Sequence, residues 1–252
     1  MTRPPAALFD MTGKVALVTG GSRGLGRQMV LGFAEAGADV IIASRKLDAC
    51  EAVAREVRAL GRKALAVACH VGEWDDLQRL TDRAYSEFGR VDVLVNNAGM
   101  SPLAPSVLET SEALFDKIVD VNFKGPFRLA ALIGSRMAEV GRGSIINISS
   151  MGSLRPRAHI APYAGAKAAL NAITVALAQE YGPRGVRVNV IAPGGFLTDV
   201  SGEWANDESL LRNVSLGRFG QPEEIVTTAL YLASGHSSYT TGALITVDGG
   251  GR

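Results

Sequence analysis

The sequence predicts an α/β fold: a seven-stranded parallel sheet, doubly wound, with helices on both faces. Two patterns carry this expectation. Seven short runs rich in Val, Ile, Ala and Leu alternate with longer segments of helical periodicity, an order that fits parallel strands joined by right-handed helical crossovers. The first run also leads straight into a glycine-rich turn, as a ligand-binding crevice at the carboxyl ends of such strands requires.

The strand candidates are "KVALVTG", "ADVIIAS", "KALAVAC", "VDVLVNNAG", "SIINISS", "VRVNVIAP" and "ALITVDGG". Helical patterns fall near 24–37, 47–60, 73–88, 111–138 and 161–181, with less regular helix between 201 and 233. No linker or shift of composition divides the 252 residues, so a single domain spanning 1–252 is expected, with 1–10 as a flexible extension. The Gly-rich, aromatic stretch from Gly194 to Asp207 interrupts the alternation and reads as a mobile substrate loop.

Charge excludes some functions. Twenty-six basic and 25 acidic residues, without a block of either sign, leave a net charge of +1, so no nucleic-acid or membrane partner is expected. No apolar run reaches the ~18 residues of a membrane span, and the first residues lack a signal-peptide core; a cytoplasmic protein is expected. Cys50 and Cys69 lack C-x-x-C spacing and read as buried thiols of a reducing compartment.

"VTGGSRGLG" places Gly20, Gly24 and Gly26 between the first strand and the first helix. Glycine lets the backbone approach a pyrophosphate, and free N–H groups at a helix start favour its charge. The spacing differs from G-x-G-x-x-G, and an ordinary β–α turn is the competing reading. A site selecting NAD(H) places an acidic residue about 20 residues on, at the end of the second strand. Here stand Ser44 and Arg45. Arg45 and Arg23 together suit a 2′-phosphate, so NADP(H) is expected over NAD(H); the alternative is two solvated arginines.

In "HIAPYAGAKAAL", Tyr163 and Lys167 are four residues apart and so share one helical stripe. They are either a surface pair or a proton-transfer device.

With "TGGSRGLG", "NNAG", "VNFKG", Ser150, "YAGAK", "RVNVIAPGGFLTD" and "TGALITVDGG" in order, the chain resembles the short-chain dehydrogenase/reductase family over nearly its whole length. It resembles members of the 3-oxoacyl-(acyl carrier protein) reductase and gluconate 5-dehydrogenase kinds. The resemblance implies a Rossmann-type fold, a homotetramer and hydride transfer between a nicotinamide cofactor and a carbonyl or secondary alcohol. It also implies that Tyr163 is the acid/base, Lys167 its activator, Ser150 the polarising hydroxyl and Asn122 the support of a proton relay. Gly20, Ser22, Gly24, Leu25 and Gly26 would hold the cofactor at the phosphate turn, with Arg23, Ser44 and Arg45 at the ribose and its 2′-phosphate. His70 and Val71 would lie beside the adenine, and Asn97, Ala98 and Gly99 beside its ribose. Pro193, Gly194, Phe196 and Thr198 would hold the carboxamide, and Tyr163 and Lys167 would also reach the nicotinamide ribose. His70 departs from the family's usual aspartate.

The residue types suit the chemistry. A phenol with a pKa near 10 needs a shift of ~3 units, or ~4 kcal/mol, to exchange protons near pH 7; an adjacent ammonium lowers it. Serine hydrolysis with Ser150 and His159 lacks a G-x-S-x-G elbow. A non-catalytic NADP(H) sensor would not need Asn122, Ser150, Tyr163 and Lys167 together. His70, His159 and His236 are dispersed, so no metal site is expected. Met100, Leu103, Leu154, Phe196 and Trp204 offer an apolar lining for a small carbonyl substrate, whether a 3-oxoacyl thioester, a sugar acid or another ketone. Arg155 and Arg157 suit an anionic group on it, or plain solvent.

Overall fold

The computed structural model describes residues 8–199, 201–202 and 208–251. Trp204, the first seven residues of the N-terminal extension and positions 200 and 203–207 of the substrate loop lie outside them.

All seven strands form where the apolar runs predict them: β1 (Val15–Thr19), β2 (Asp39–Ser44), β3 (Ala64–Ala68), β4 (Val93–Asn96), β5 (Gly143–Ile148), β6 (Val186–Pro193) and β7 (Leu244–Val247). They pair in parallel in the order β3-β2-β1-β4-β5-β6-β7. The order reverses between β1 and β4, which opens a crevice above their carboxyl ends. Thr19 and Asn96, the last residues of those two strands, stand at the crevice floor.

The helices are α1 (Gly24–Glu35), α2 (Leu47–Ala59), α3 (Trp74–Phe88), α4 (Glu112–Val119), α5 (Gly125–Glu139), α6 (Ala161–Tyr181) and α7 (Val226–Ala233). Strand alternation divides the core in two. Ala16 and Val18 of β1 join Val30, Phe33, Val53 and Ala229 from α1, α2 and α7 in one cluster. Val15 and Leu17 join Leu77, Leu80, Leu129, Ile133 and Leu177 from α3, α5 and α6 in the other. Successive side chains of a strand point to opposite faces, so a run that is apolar at every position must be covered on both.

Two helical expectations need correction. The pattern over 111–138 is two helices joined by a π-helical turn, Asp120–Lys124, because one extra residue in the hydrogen-bonded ladder shifts the phase between them. Among the described residues of 201–233, only α7 is α-helix. Ahead of it, the described residues hold two short 3-10 turns, Glu208–Asn213 and Pro222–Ile225. Gly217 between them has φ +65, a left-handed conformation that ends helical propagation.

Among the described residues no helix is long and apolar enough to cross a membrane. Cys50 and Cys69 are buried and free. Burial pushes both thiols up, Cys69 to about 12.

Candidate active site

The glycine-rich turn folds as a cradle that side chains would fill. Gly20 has φ +65. A Cβ at Gly26 would stand 2.2 Å from the Gly20 carbonyl oxygen and 2.5 Å from Asn97 Nδ2. Arg23 precedes α1 in extended conformation without a side-chain cap, and the first turn of α1 carries no acidic residue. The N–H groups at that end are therefore available to an anion.

Asn97 closes the cradle from the β4 side. Its Nδ2 donates to the carbonyls of Thr19 at 2.9 Å and Gly20 at 3.3 Å. Its backbone N–H and that of Ala98 both donate to Thr19 Oγ1, at 3.0 and 3.1 Å. Thr19 thus joins the phosphate turn to the "NNAG" segment. Thr19 lies outside the predicted site residues; its signal in the sequence is a hydroxyl at the end of an otherwise apolar strand. Thr198 approaches from β6: its Cβ would stand 3.6 Å from a Cβ at Gly24.

Arg23 and Arg45 are exposed, and neither has an ion-pair partner among the described residues. The Ser44 hydroxyl lies 3.0 Å from Cys50 Sγ, and the Ser44 carbonyl accepts the Cys69 N–H at 2.9 Å. His70 is occupied locally. Its ring Nδ1 accepts from Gly72 N–H at 3.2 Å, and its own N–H donates to Asp76 Oδ2 at 2.9 Å. Val71 packs its carbonyl under the π turn, where a Cβ at Gly125 would lie 2.1 Å from its oxygen.

Across the crevice, β5, the π turn and α6 bring the four predicted polar residues to one place. Ser150 follows β5, and its Oγ accepts the Gly152 N–H at 3.0 Å. A side-chain hydrogen bond joins Ser150 to Tyr163. Lys167 Nζ stands 6.0 Å from the Tyr163 ring centroid. Gly99 leaves room between Lys167 and Asn122: its missing Cβ would be 3.5 Å from Nζ and 3.0 Å from Asn122 Oδ1. Asn122 is fully buried in the π turn, donating to the carbonyls of Met100 at 2.8 Å and Ile118 at 3.0 Å while accepting Met100 N–H at 3.2 Å.

One electrostatic expectation is corrected. Tyr163 does not stand below the usual phenol range. Burial pushes it up, and the Ser150 hydrogen bond only partly opposes that. Burial instead lowers Lys167 to about 8, and its ammonium is directed at the Ile148 carbonyl, 2.7 Å away. In this state the lysine is desolvated more than the phenol is ionised.

The neighbouring serines are engaged elsewhere. Ser149 Oγ donates toward Ser153 Oγ at 3.2 Å, and Ser153 Oγ donates to the Ser150 carbonyl at 2.6 Å. Behind them runs a buried chain that the sequence did not disclose. Asn96 Nδ2 donates to Asn147 Oδ1 at 2.9 Å, Asn147 Nδ2 to Thr174 Oγ1 at 2.9 Å, and Thr174 to the Leu170 carbonyl at 2.8 Å. It ties β4, β5 and α6 below the site.

The apolar lining is unevenly realised. Met100 is half-buried, whereas Leu103 and Leu154 are 75% and 46% exposed. Phe196 turns its ring into the core, where a Cβ at Gly220 would lie 2.7 Å from it. Arg155 donates to the Gly251 carbonyl, and Arg157 is exposed. Among the described residues no cluster of His, Cys, Asp or Glu suits a metal.

The switch-point crevice and the glycine cradle above it define a dinucleotide-binding protein of Rossmann type. A family model described as enoyl-(acyl carrier protein) reductase matches residues 20–251. The chain is 39% identical over 248 residues to 2-dehydro-3-deoxy-D-gluconate 5-dehydrogenase of Pseudoalteromonas atlantica, covering 96% of this chain and 97% of that one. Among solved structures it matches 7α-hydroxysteroid dehydrogenase complexed with NADH and 7-oxo glycochenodeoxycholic acid, with a TM-score of 0.93, 34% identity and coverage of 100% and 98%. It also matches a protein from Beutenbergia cavernae, described as a candidate NAD(P)-dependent gluconate 5-dehydrogenase with bound NADP, with a TM-score of 0.91, 36% identity and coverage of 96% and 98%. The chain belongs to the short-chain dehydrogenase/reductase family. It is an NAD(P)-dependent oxidoreductase acting on CH–OH and C=O groups of small molecules.

Proposed function

We propose that this oxidoreductase works as an NADPH-preferring carbonyl reductase whose proton comes from Tyr163. The observation that carries this reading is the meeting of half-buried Ser150 and Tyr163 with buried Lys167, with Asn122 across Gly99 from the lysine.

The residues fit the cofactor. At Gly20 and Gly26 a Cβ would collide with Asn97 and the turn's own backbone, so only glycine permits the tight turn that lets backbone N–H groups approach a pyrophosphate. When bound, the nicotinamide supplies or accepts a hydride at the substrate carbon. The protein's part is the proton and the charge. Tyr163, held in its protonated form by burial, hands its proton to the carbonyl oxygen. The Ser150 hydroxyl donates to the same oxygen, where negative charge develops. Lys167 balances the phenolate that remains: one of its three N–H bonds is committed to Ile148, and two are left for the phenolate side and a ribose. Asn122 fixes the floor from which that proton is replaced.

Preference for NADPH rests on Arg23 and Arg45, exposed cations without carboxylate partners among the described residues, at the two places where a 2′-phosphate would sit. NAD(H) is the lesser cofactor. Exposed Leu103 and Leu154 near the entry favour a moderately hydrophobic carbonyl compound. The assembly is a homotetramer of single-domain chains in the cytoplasm, with 1–10 as an extension. Phe127 and Val175, 42% and 45% exposed on α5 and α6, supply apolar surface for its contacts.

Oxidation of NADPH and NADH, followed optically against ketones, diones, sugar acids and 3-oxoacyl thioesters, tests this reading. Turnover with NADPH that Tyr163→Phe abolishes is the expected result. NADPH binding without consumption across the panel would favour a sensor, and faster turnover with NADH would reverse the cofactor assignment.

A further inference from the structure

His159 stands four residues before Tyr163 and does none of the chemistry above. It is nevertheless the one non-glycine residue with positive φ among the described residues, at +68. A side chain held in the left-handed region is uncommon and has to be over-determined by its surroundings. Here the surroundings are Ala104. His159 Nδ1 lies 3.1 Å from the Ala104 carbonyl, and the Ala104 N–H donates to the His159 carbonyl, also at 3.1 Å.

This reciprocal pair joins two loops far apart in the chain, the one after β4 and the one entering α6. The first is also held at its base, because Met100 exchanges two hydrogen bonds with Asn122. The segment Met100–Ala104 is therefore fixed at both ends, by Asn122 on the crevice floor and by His159 at the mouth. Its residues differ accordingly in burial. Ala104 is 5% exposed, while Leu103 beside it is 75% exposed, and Val107 and Leu108 farther along are 75% and 92% exposed.

We propose that His159 is a positioning residue for substrate: it clasps the Met100–Ala104 segment against the entrance of α6, fixing one wall of the cleft and presenting Leu103 at its mouth. The proposal rests on the reductase reading above. Because a carbonyl accepts the bond at Nδ1, the ring keeps its proton there and the contact needs no charge on the imidazole. The clasp holds Ala104, whereas the cofactor cradle takes only Asn97–Gly99 from the β4 loop and that part is anchored separately on Thr19 and Gly20, so the clasp acts on the substrate side.

Two variants separate the clasp from the fold. His159→Gly keeps the positive φ but loses the ring. His159→Asn tolerates the same φ and carries a short amide donor where Nδ1 stands. With saturating NADPH, His159→Gly is expected to raise the KM of an apolar ketone by about tenfold with kcat within about twofold and the NADPH KM unchanged, and His159→Asn to restore the KM. An unchanged substrate KM in His159→Gly overturns the positioning role. Equal losses in kcat and in both KM values, unrescued by asparagine, mark a merely structural residue and overturn it as well. Hydrogen exchange of the 100–108 segment needs no turnover. Faster exchange in His159→Gly, reversed in His159→Asn, is expected, and unchanged exchange overturns the clasp itself. An enzyme that reduces nothing would refute the reductase reading while leaving that exchange test decisive.

Discussion

Lys167 Nζ donates to the backbone carbonyl of Ile148 across 2.7 Å, tying α6 to the end of β5 two residues before Ser150. Lys167 is 3% exposed, so one contact fixes the spacing of β5 and α6 and also takes a charge out of water.

That burial has a measurable cost. Lys167 falls to about 8 in the folded protein from 10.5, so the unfolded chain holds more protons between those values and stability rises with pH across the window. Relative to Lys167→Met, which has no such proton, the wild-type protein should gain about 3 kcal/mol between pH 8 and pH 10.5. Urea melts of both proteins at several pH values measure it. A constant difference would mean that Lys167 keeps an ordinary pKa. Activity of Lys167→Met should fall by about a hundredfold or more.

Because burial pushes Tyr163 up, the phenol is a proton donor at neutral pH. Carbonyl reduction should be level from about pH 6 to 7.5 and decline as Lys167 loses its proton near 8. Tyr163→Phe should lower kcat by about a thousandfold and Ser150→Ala by about a hundredfold, with NADPH affinity within about twofold in both. Steady-state profiles and a cofactor fluorescence titration read these out.

At the phosphate turn, Gly26→Ala would drive a methyl group to 2.2 Å from the Gly20 carbonyl. The backbone must move, at a cost of about 2–4 kcal/mol and with loss of NADPH binding. Gly165→Ala, within α6, is the control: a Cβ there meets nothing within 4 Å, and it should be neutral or stabilise by up to about 1 kcal/mol. Thermal melts with and without cofactor compare the two.

Arg45→Asp should raise the KM for NADPH by at least about tenfold while leaving that for NADH within about threefold. Raising salt should weaken NADPH binding more than NADH binding in the unmodified enzyme. Equal effects on both cofactors would remove Arg45 from the 2′-phosphate.

Most of the fold was legible because parallel strands covered on both faces leave a strong signature. Runs such as Val40-Ile41-Ile42 are apolar at each position and end in a turn. Asn122, Ser150, Tyr163 and Lys167 were singled out by the family resemblance their motifs carry, and folding brings them to one side of the crevice. What stayed hidden depends on contacts between distant segments. Asn147 lies within an apolar strand, and only folding shows that its amide bridges Asn96 and Thr174. Phe196 could as well have lined the cleft, until packing on Gly220 drew its ring into the core. The state of Tyr163 depends on such contacts too. Spacing puts Lys167 beside it, but burial and the Ile148 carbonyl decide where the charge is spent.

The π turn at Asp120–Lys124 works like a gear with one tooth added between two shafts. Each residue of an α-helix advances about 100° around the axis, so forcing all five residues into regular α-helical turns, with none deleted, would rotate everything beyond them by about that angle. Leu129, Ile133 and Met137, now fully buried or nearly so, would swing away from the sheet, and Asn122 would leave Met100. An engineer smoothing this irregularity to gain stability would be trading away the helix's seat in the core along with the floor of the site.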